Sequence, residues 1–175
     1  MQVQFCGANG EVTGSSHLVR VGDHQILLDC GMIQGDEETE RRNAEPFPFD
    51  PQRLAALVLS HAHIDHIGRV PLLVKRGFRG PIYAQAATAD LARIMLEDAA
   101  SIAESDIVRD NLKRMQQGLK PEQPLYTRQD AQAALANVRP LPYDSELEFL
   151  PGLRLRFRDA GHILGSAVVE LWQDG

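Results

Sequence analysis

The stretch His61-Ala62-His63-Ile64-Asp65-His66 places three imidazoles and a carboxylate within six residues, directly after the apolar run Leu57-Val58-Leu59. His61 and His63 are two positions apart, so their side chains share a face in a strand end or loop, whereas in a helix they diverge by roughly 200°. His66 follows beside Asp65, so one tight turn after a buried strand can supply ligands to two adjacent ions. Imidazole and carboxylate together favour zinc, manganese or iron over magnesium or calcium. The stretch therefore predicts a metal site.

The composition of the 175-residue chain is that of one globular domain. With 43% hydrophobic residues, the chain can bury a substantial core. It begins with no basic segment followed by a long apolar one, and no stretch approaches the roughly 18 apolar residues of a membrane span. Two cysteines, Cys6 and Cys30, are too few for a disulfide scaffold. We expect a cytoplasmic protein with no membrane partner.

The net charge of −6 argues against a generic nucleic-acid-binding surface, because such surfaces are normally basic. It does not exclude an enzyme that acts on nucleic acid. Two divalent ions would offset four of the six negative charges, and they would concentrate positive charge where an anionic phosphate must bind.

Apolar periodicity predicts strands, then helices, then strands again. Short apolar runs predict a β-meander at the start, with a hairpin turn at Gly22-Asp23, and residues 30–52 are predicted to form a long loop. A long helix is expected to be capped by Thr88 and to end near Gly118 and Pro121. Its apolar stripe, expected to pack in the core, consists of Leu91, Ile94, Met95, Ile102, Ile107, Leu112 and Met115.

This order of elements points to an α/β domain with a largely antiparallel or mixed sheet. The alternation of apolar residues and arginines over Leu153–Arg158 predicts a strand with one buried and one solvated face. Asp174-Gly175 is a favoured hairpin-turn pair directly after the strand predicted at Ala167–Trp172, so a partner strand is expected to begin where the sequence stops. We therefore expect a fragment of a longer protein.

Two single residues join the histidine cluster as candidates. Asp29 ends the apolar run Ile26-Leu27-Leu28, and His162 lies between two predicted strands. An aspartate at a strand end is usually a turn or capping residue, and a lone histidine between strands is usually structural. In combination with the cluster, both become candidates for the same site.

The chain resembles the metallo-β-lactamase superfamily, whose defining motif is His-x-His-x-Asp-His after a buried strand. It is most similar to the β-CASP branch of RNA- and DNA-processing enzymes, in particular to bacterial and archaeal ribonucleases related to the pre-mRNA cleavage endonuclease. The stretches that carry the resemblance are Gly7-Ala8-Asn9-Gly10-Glu11-Val12-Thr13-Gly14-Ser15, Leu28-Asp29-Cys30-Gly31, Leu59 to Gly68, Pro81-Ile82-Tyr83-Ala84 and Ala160-Gly161-His162-Ile163-Leu164-Gly165-Ser166-Ala167.

The resemblance implies an αββα sandwich, of which residues 1–175 form the N-terminal half or a partial domain with a mixed sheet. It implies two Zn²⁺ ions in the complete protein, with incomplete occupancy in this chain. The implied ligands are His61, His63 and His162 for the first ion and Asp65 and His66 for the second. Asp29 is implied to fix the tautomer and orientation of a ligand imidazole, and Asp65 to accept a proton from the attacking water. A bridging aspartate and a final histidine are expected beyond residue 175.

The implied function is hydrolysis of RNA phosphodiesters by a metal-bound hydroxide, with RNA as the partner. One alternative is a metallo-hydrolase of thioesters, lactones or other small substrates, since the same ligands serve that chemistry elsewhere in the superfamily. Another is that the chain alone is a catalytically silent folding module, because two expected ligands are missing. A sheet edge left unpaired also predicts self-association.

Overall fold

The computed structural model describes residues 1–173, so the predicted Asp174-Gly175 turn lies outside the described residues. The strands are β1 (Gln2–Phe5), β2 (His17–Val21), β3 (His24–Leu28), β4 (Leu54–Val58), β5 (Ile82–Gln85), β6 (Val138–Leu141), β7 (Leu147–Leu150), β8 (Leu153–Asp159) and β9 (Ala167–Gln173). The α-helices are α1 (Glu37–Arg41), α2 (Ile64–Ile67), α3 (Val70–Lys75), α4 (Ala86–Gln116) and α5 (Arg128–Leu135).

The strands form two sheets, and the larger sheet is mixed as predicted. Its order is β1-β2-β3-β4-β5-β6, with antiparallel pairing from β1 to β3 and parallel pairing from β3 to β6. The predicted hairpin at Gly22-Asp23 joins β2 to β3, where Val21 pairs with His24. The smaller sheet is antiparallel, in the order β7-β8-β9.

Two apolar layers cover the two faces of the larger sheet. Leu27 and Leu57 face one layer, which is completed by side chains of α3, α4 and α5. Ile26 faces the other layer, which is completed by the smaller sheet. Leu153 and Phe157 of β8 are at most 1% exposed, which confirms the predicted alternation along that strand. Burial of each such large side chain contributes about 1.5–3 kcal/mol to stability.

Helix α4 begins and packs differently from the prediction. Its N-cap is Gln85, whose side chain accepts a hydrogen bond from the Ala87 amide, while Thr88 lies inside the helix and is fully buried. Most of the predicted core stripe is wrong, because Ile94 is 64% exposed and Met115 is 65% exposed, whereas Leu91 is partly buried against the core. The helix buries instead Thr88, Ala89, Ala92, Leu96 and Ala100.

The buried face of α4 is confined to its first half, and three of its five members are alanines. Small side chains let the helix backbone approach the sheet closely, so an apolar pattern dominated by large residues did not mark the contact face. The predicted end is confirmed, since Gly118 follows the helix with a left-handed φ of 71°. Over residues 1–173, no helix combines the length and the apolar character that a membrane span needs.

The segment 30–52, predicted as a long loop, contains α1 and two short 3-10 turns at Arg42–Ala44 and Pro51–Arg53. Buried Asn43 joins two parts of this segment. Its side chain accepts a hydrogen bond from the Ile33 amide and donates one to the Ile33 carbonyl, both at 2.8 Å. Strand β6 was not predicted. It pairs in parallel with β5 through a backbone ladder that includes Pro140.

Candidate metal centre

The candidate site lies at the carboxyl ends of two neighbouring parallel strands. Leu28 and Val58, the last residues of β3 and β4, are register partners. Asp29 follows β3 and donates its backbone N–H to the Val58 carbonyl at 2.9 Å. The histidine motif begins three residues after Val58, and His63 is the N-cap of α2. The motif therefore occupies a strand end and a tight turn, as its spacing predicted.

Three ring nitrogens converge at this edge from two sheets. The Nδ1 atom of His63 lies 3.1 Å from Nε2 of His61 and 3.2 Å from Nε2 of His162. His162 comes from the loop between β8 and β9, 99 positions along the chain from His63. The three residues form a group that can hold a metal ion.

The surroundings of His61 keep its imidazole neutral. His61 is 8% exposed, and its burial, followed by the nearby charge of His66, lowers the pKa of His61 to about 4. A neutral imidazole keeps a lone pair on one ring nitrogen, which is the form that binds metal.

Asp29 is a buried residue that makes several hydrogen bonds in the site. It is 5% exposed and adopts a left-handed backbone conformation with φ of 57°, which aspartate tolerates better than most residues. Its Oδ1 accepts the Ser60 amide at 2.8 Å. Its Oδ2 accepts hydrogen bonds from the Ser60 hydroxyl at 2.8 Å and the Ser15 hydroxyl at 3.2 Å, and it lies 2.7 Å from Nδ1 of His66. Asp29 therefore contacts one imidazole of the motif, that of His66.

Asp65 and His66 lie beside the three-nitrogen group. The Nε2 atom of His66 is 3.7 Å from Oδ2 of Asp65, so a ring nitrogen and a carboxylate oxygen face each other. Burial opposes charge on His66, but the hydrogen bond to Asp29 and the charges of Asp29 and Asp65 outweigh it and raise the pKa of His66.

The loop that carries His162 is held from both sides. Buried Ser166 accepts, through its hydroxyl oxygen, the backbone N–H groups of His162 at 3.0 Å and Ile163 at 3.2 Å. The hydroxyl of Thr88 donates to the Gly165 carbonyl at 2.7 Å, which joins the loop to the first turn of α4. His162 is exposed, so these backbone contacts position it and burial does not.

Gly165 permits the close approach of this loop to α4. It has a left-handed φ of 81°, and a Cβ atom there would lie 2.4 Å from the Thr88 backbone nitrogen. We expect Gly165→Ala to destabilise the protein by more than the about 1–2 kcal/mol that a left-handed alanine costs, because the loop must also move off α4. Thermal unfolding followed by circular dichroism measures the loss.

Gly161→Ala is the matched control for this loop. Gly161 also has a left-handed φ, of 65°, but a Cβ atom there would meet nothing within 4 Å. Both variants carry the backbone cost, and only Gly165→Ala carries the clash. Equal unfolding temperatures for the two variants would show that the contact with α4 is not tight.

A sequence profile described as the metallo-beta-lactamase superfamily matches residues 9–164, which include Asp29, the histidine motif and His162. The chain belongs to the metallo-β-lactamase superfamily. The predicted α/β fold of that superfamily is confirmed by solved structures. The crystal structure of MEM-A1, a subclass B3 metallo-β-lactamase from a soil metagenome library, matches 99% of this chain and 55% of its own with a TM-score of 0.56 at 18% identity.

Two relatives within the superfamily carry names that concern RNA metabolism. Ribonuclease TTHA0252 of Thermus thermophilus is 42% identical over the whole chain, and transcription termination factor FttA of Methanocaldococcus jannaschii is 30% identical over 98% of it. The resemblance to the β-CASP branch is thereby confirmed. The chain spans 36% of the length of the first relative and 25% of the second.

Several residues around the candidate site were not predicted from the sequence. Ser60 bonds Asp29 and lies 3.0 Å from Nδ1 of His61, and Ser15 bonds the same carboxylate. Ser166 and Thr88 hold the loop of His162. The stretches that carry the family resemblance include Ser15, Ser60 and Ser166. Their position in those stretches could have identified them as candidate site residues.

Proposed function

We propose that this chain contributes the histidine-rich part of a zinc-dependent centre that hydrolyses RNA phosphodiesters. The observation that carries the proposal is the convergence of ring nitrogens from His61, His63 and His162, with separations of 3.1 and 3.2 Å. Zn–N bonds of about 2.0–2.1 Å in a tetrahedron place ligand nitrogens about 3.3–3.4 Å apart, which is close to the two separations measured from Nδ1 of His63.

The proposed assignment of roles follows the positions of the side chains. His61, His63 and His162 would hold the first ion, and Asp65 with His66 would contribute to a second. Zinc held by these residues would supply Lewis-acid activation of water near neutral pH and positive charge for a phosphate oxygen. Three protein ligands leave a coordination position open, unlike a closed structural zinc site.

The remaining roles belong to carboxylates of the chain. Asp29 holds the His66 ring by a 2.7 Å contact at Nδ1, which turns Nε2 toward Asp65. The side chain of Asp65 is 21% exposed, so solvent reaches it, and we assign it the acceptance of a proton from the attacking water. RNA is the proposed substrate because the two named relatives concern RNA, one being a ribonuclease and the other a transcription termination factor.

The test uses the 175-residue chain stripped of metal by a chelator and then titrated with Zn²⁺. We expect one bound ion and incomplete occupancy of the second position, and we expect any Zn²⁺-dependent cleavage by the chain to fall on labelled single-stranded RNA. A thioester and a lactone are assayed in parallel. Turnover of either in place of RNA would favour a small-substrate hydrolase, and a zinc-loaded chain that cleaves nothing would favour a silent folding module.

A further inference from the structure

Ser60 stands between the buried carboxylate of Asp29 and the imidazole of His61. Its Oγ lies 2.8 Å from Oδ2 of Asp29 and 3.0 Å from Nδ1 of His61. The same Oδ2 atom lies 2.7 Å from Nδ1 of His66. One carboxylate oxygen is therefore in direct contact with His66, and a hydroxyl that also lies 3.3 Å from Nδ1 of His66 joins that oxygen to His61.

The available protons determine which of these atoms donate hydrogen bonds and which accept them. An ionised carboxylate only accepts hydrogen bonds, so Nδ1 of His66 and the Ser60 hydroxyl must both donate to Asp29. A serine hydroxyl has one proton, and that proton is used in the bond to Asp29. Toward His61 the Ser60 oxygen can then offer only a lone pair, so Nδ1 of His61 must carry a hydrogen and donate it.

We propose that Ser60 is a positioning residue. It donates a hydrogen bond to Asp29 and accepts one from His61, and this hydrogen-bond relay fixes the Nδ1–H tautomer of His61. In this tautomer the lone pair of His61 is on Nε2, the atom that lies 3.1 Å from Nδ1 of His63. A neutral histidine has one protonated and one free ring nitrogen, and the hydrogen bond at one nitrogen decides which atom is free for a ligand. The use of that lone pair for metal rests on the proposed function; the tautomer itself does not.

The test measures ring-nitrogen protonation in the metal-free, ¹⁵N-labelled chain at one fixed pH. Long-range ¹H–¹⁵N correlation spectra distinguish a protonated from an unprotonated ring nitrogen. We expect Nδ1 to be protonated in both His61 and His66 of the wild type. In Ser60→Ala, the His61 signals are expected to shift toward the Nε2–H form, while His66 keeps its bond to Asp29 and reports that the site is still folded.

Two further variants separate the relay from a general effect on the pocket. Ser60→Thr keeps a hydroxyl and should restore the His61 pattern of the wild type. Ser15→Ala removes another hydroxyl that donates to Asp29, at 3.2 Å, and should leave the His61 tautomer unchanged. Zn²⁺ affinity should fall roughly 10–100-fold in Ser60→Ala and recover in Ser60→Thr, as for other groups that orient a metal ligand.

An Nε2–H tautomer of His61 in the wild type would overturn the inference, as would an unchanged His61 pattern in Ser60→Ala or a failure of Ser60→Thr to restore it. A different result would contradict the proposed function. A chain that shows the expected tautomers but binds no Zn²⁺ would contradict the metal centre and leave the relay intact.

Discussion

Gly31→Ala is expected to unfold the chain or to cost more than about 4 kcal/mol, a loss at the extreme of single substitutions. A Cβ atom at Gly31 would lie 1.6 Å from the Asp65 carbonyl oxygen, 2.3 Å from its carbon and 2.8 Å from the Ser15 nitrogen. All three are backbone atoms, so no side chain can rotate to make room.

The backbone around Gly31 has little freedom to yield. Its amide donates to the Ser15 carbonyl at 2.8 Å, and the Ser15 amide donates to the Asp65 carbonyl at 2.8 Å. Cys30 and Met32 on either side donate their amides to carbonyls of the histidine motif and α2. A shift of this segment therefore breaks several buried hydrogen bonds together, each worth about 0.5–1.5 kcal/mol.

Urea unfolding of the purified variant measures this prediction, and the yield of soluble protein provides a second readout. Gly152→Ala is the control, since Gly152 has a φ of 67° and a Cβ atom there would meet nothing within 4 Å. We expect the control to remain folded with a loss of about 1–2 kcal/mol. A Gly31→Ala protein as stable as the control would mean that the two segments are not packed backbone to backbone.

His63→Ala is expected to lower Zn²⁺ affinity more than roughly 100-fold, because even residues that only orient a ligand account for roughly 10–100-fold. His63 supplies the ring nitrogen that lies within 3.2 Å of both other nitrogens of the group. Stability without metal should change little, since His63 is only half-buried. Titration calorimetry with Zn²⁺ and thermal unfolding with and without the ion measure the two effects.

His24→Ala provides the matched control for this loss. His24 is also half-buried, but it begins β3 at the hairpin end, whereas Asp29 follows the other end of the strand. Its removal should leave Zn²⁺ affinity unchanged. Full affinity in His63→Ala would contradict the ligand assignment, and an equal loss in His24→Ala would point to zinc bound elsewhere on the chain.

The proximity of the candidate side chains was predicted better than the packing of the helices. Residues within one short motif are brought together by local geometry, so His61 and His63 could be placed without the fold. The approach of His162 required a family resemblance, because no local pattern connects it to the motif. Ser60 was missed because a serine next to a histidine has no distinctive spacing of its own.

Helix α4 shows the opposite case. Large apolar residues such as Ile94 and Met115 were expected inside and are exposed, whereas Ala92 and Ala100 are buried. The hydrophobicity of alanine is too weak to mark a face, yet its size allows the close contact. Strand β6 was missed for a related reason, since it is short and contains a proline, which disfavours a strand assignment.

Some predictions concern properties beyond the geometry of residues 1–173. The assignment of residues 1–175 to the N-terminal part of a metallo-β-lactamase domain, the cytoplasmic location and self-association through a sheet edge stay predictions. Within the described part of the chain, β9 pairs only with β8, so the predicted self-association concerns this edge strand.

The separation of His63 and His162 by 99 positions has a consequence for the order of events during folding. In the proposed metal centre an incoming ion would meet all three nitrogens only after the two sheets have docked and a loop of that length has closed, and loops of such length close late and at an entropic cost. We therefore expect that a bound ion would not start folding. It should instead slow the opening of the finished sandwich, so that the unfolding rate, and not the folding rate, responds to zinc.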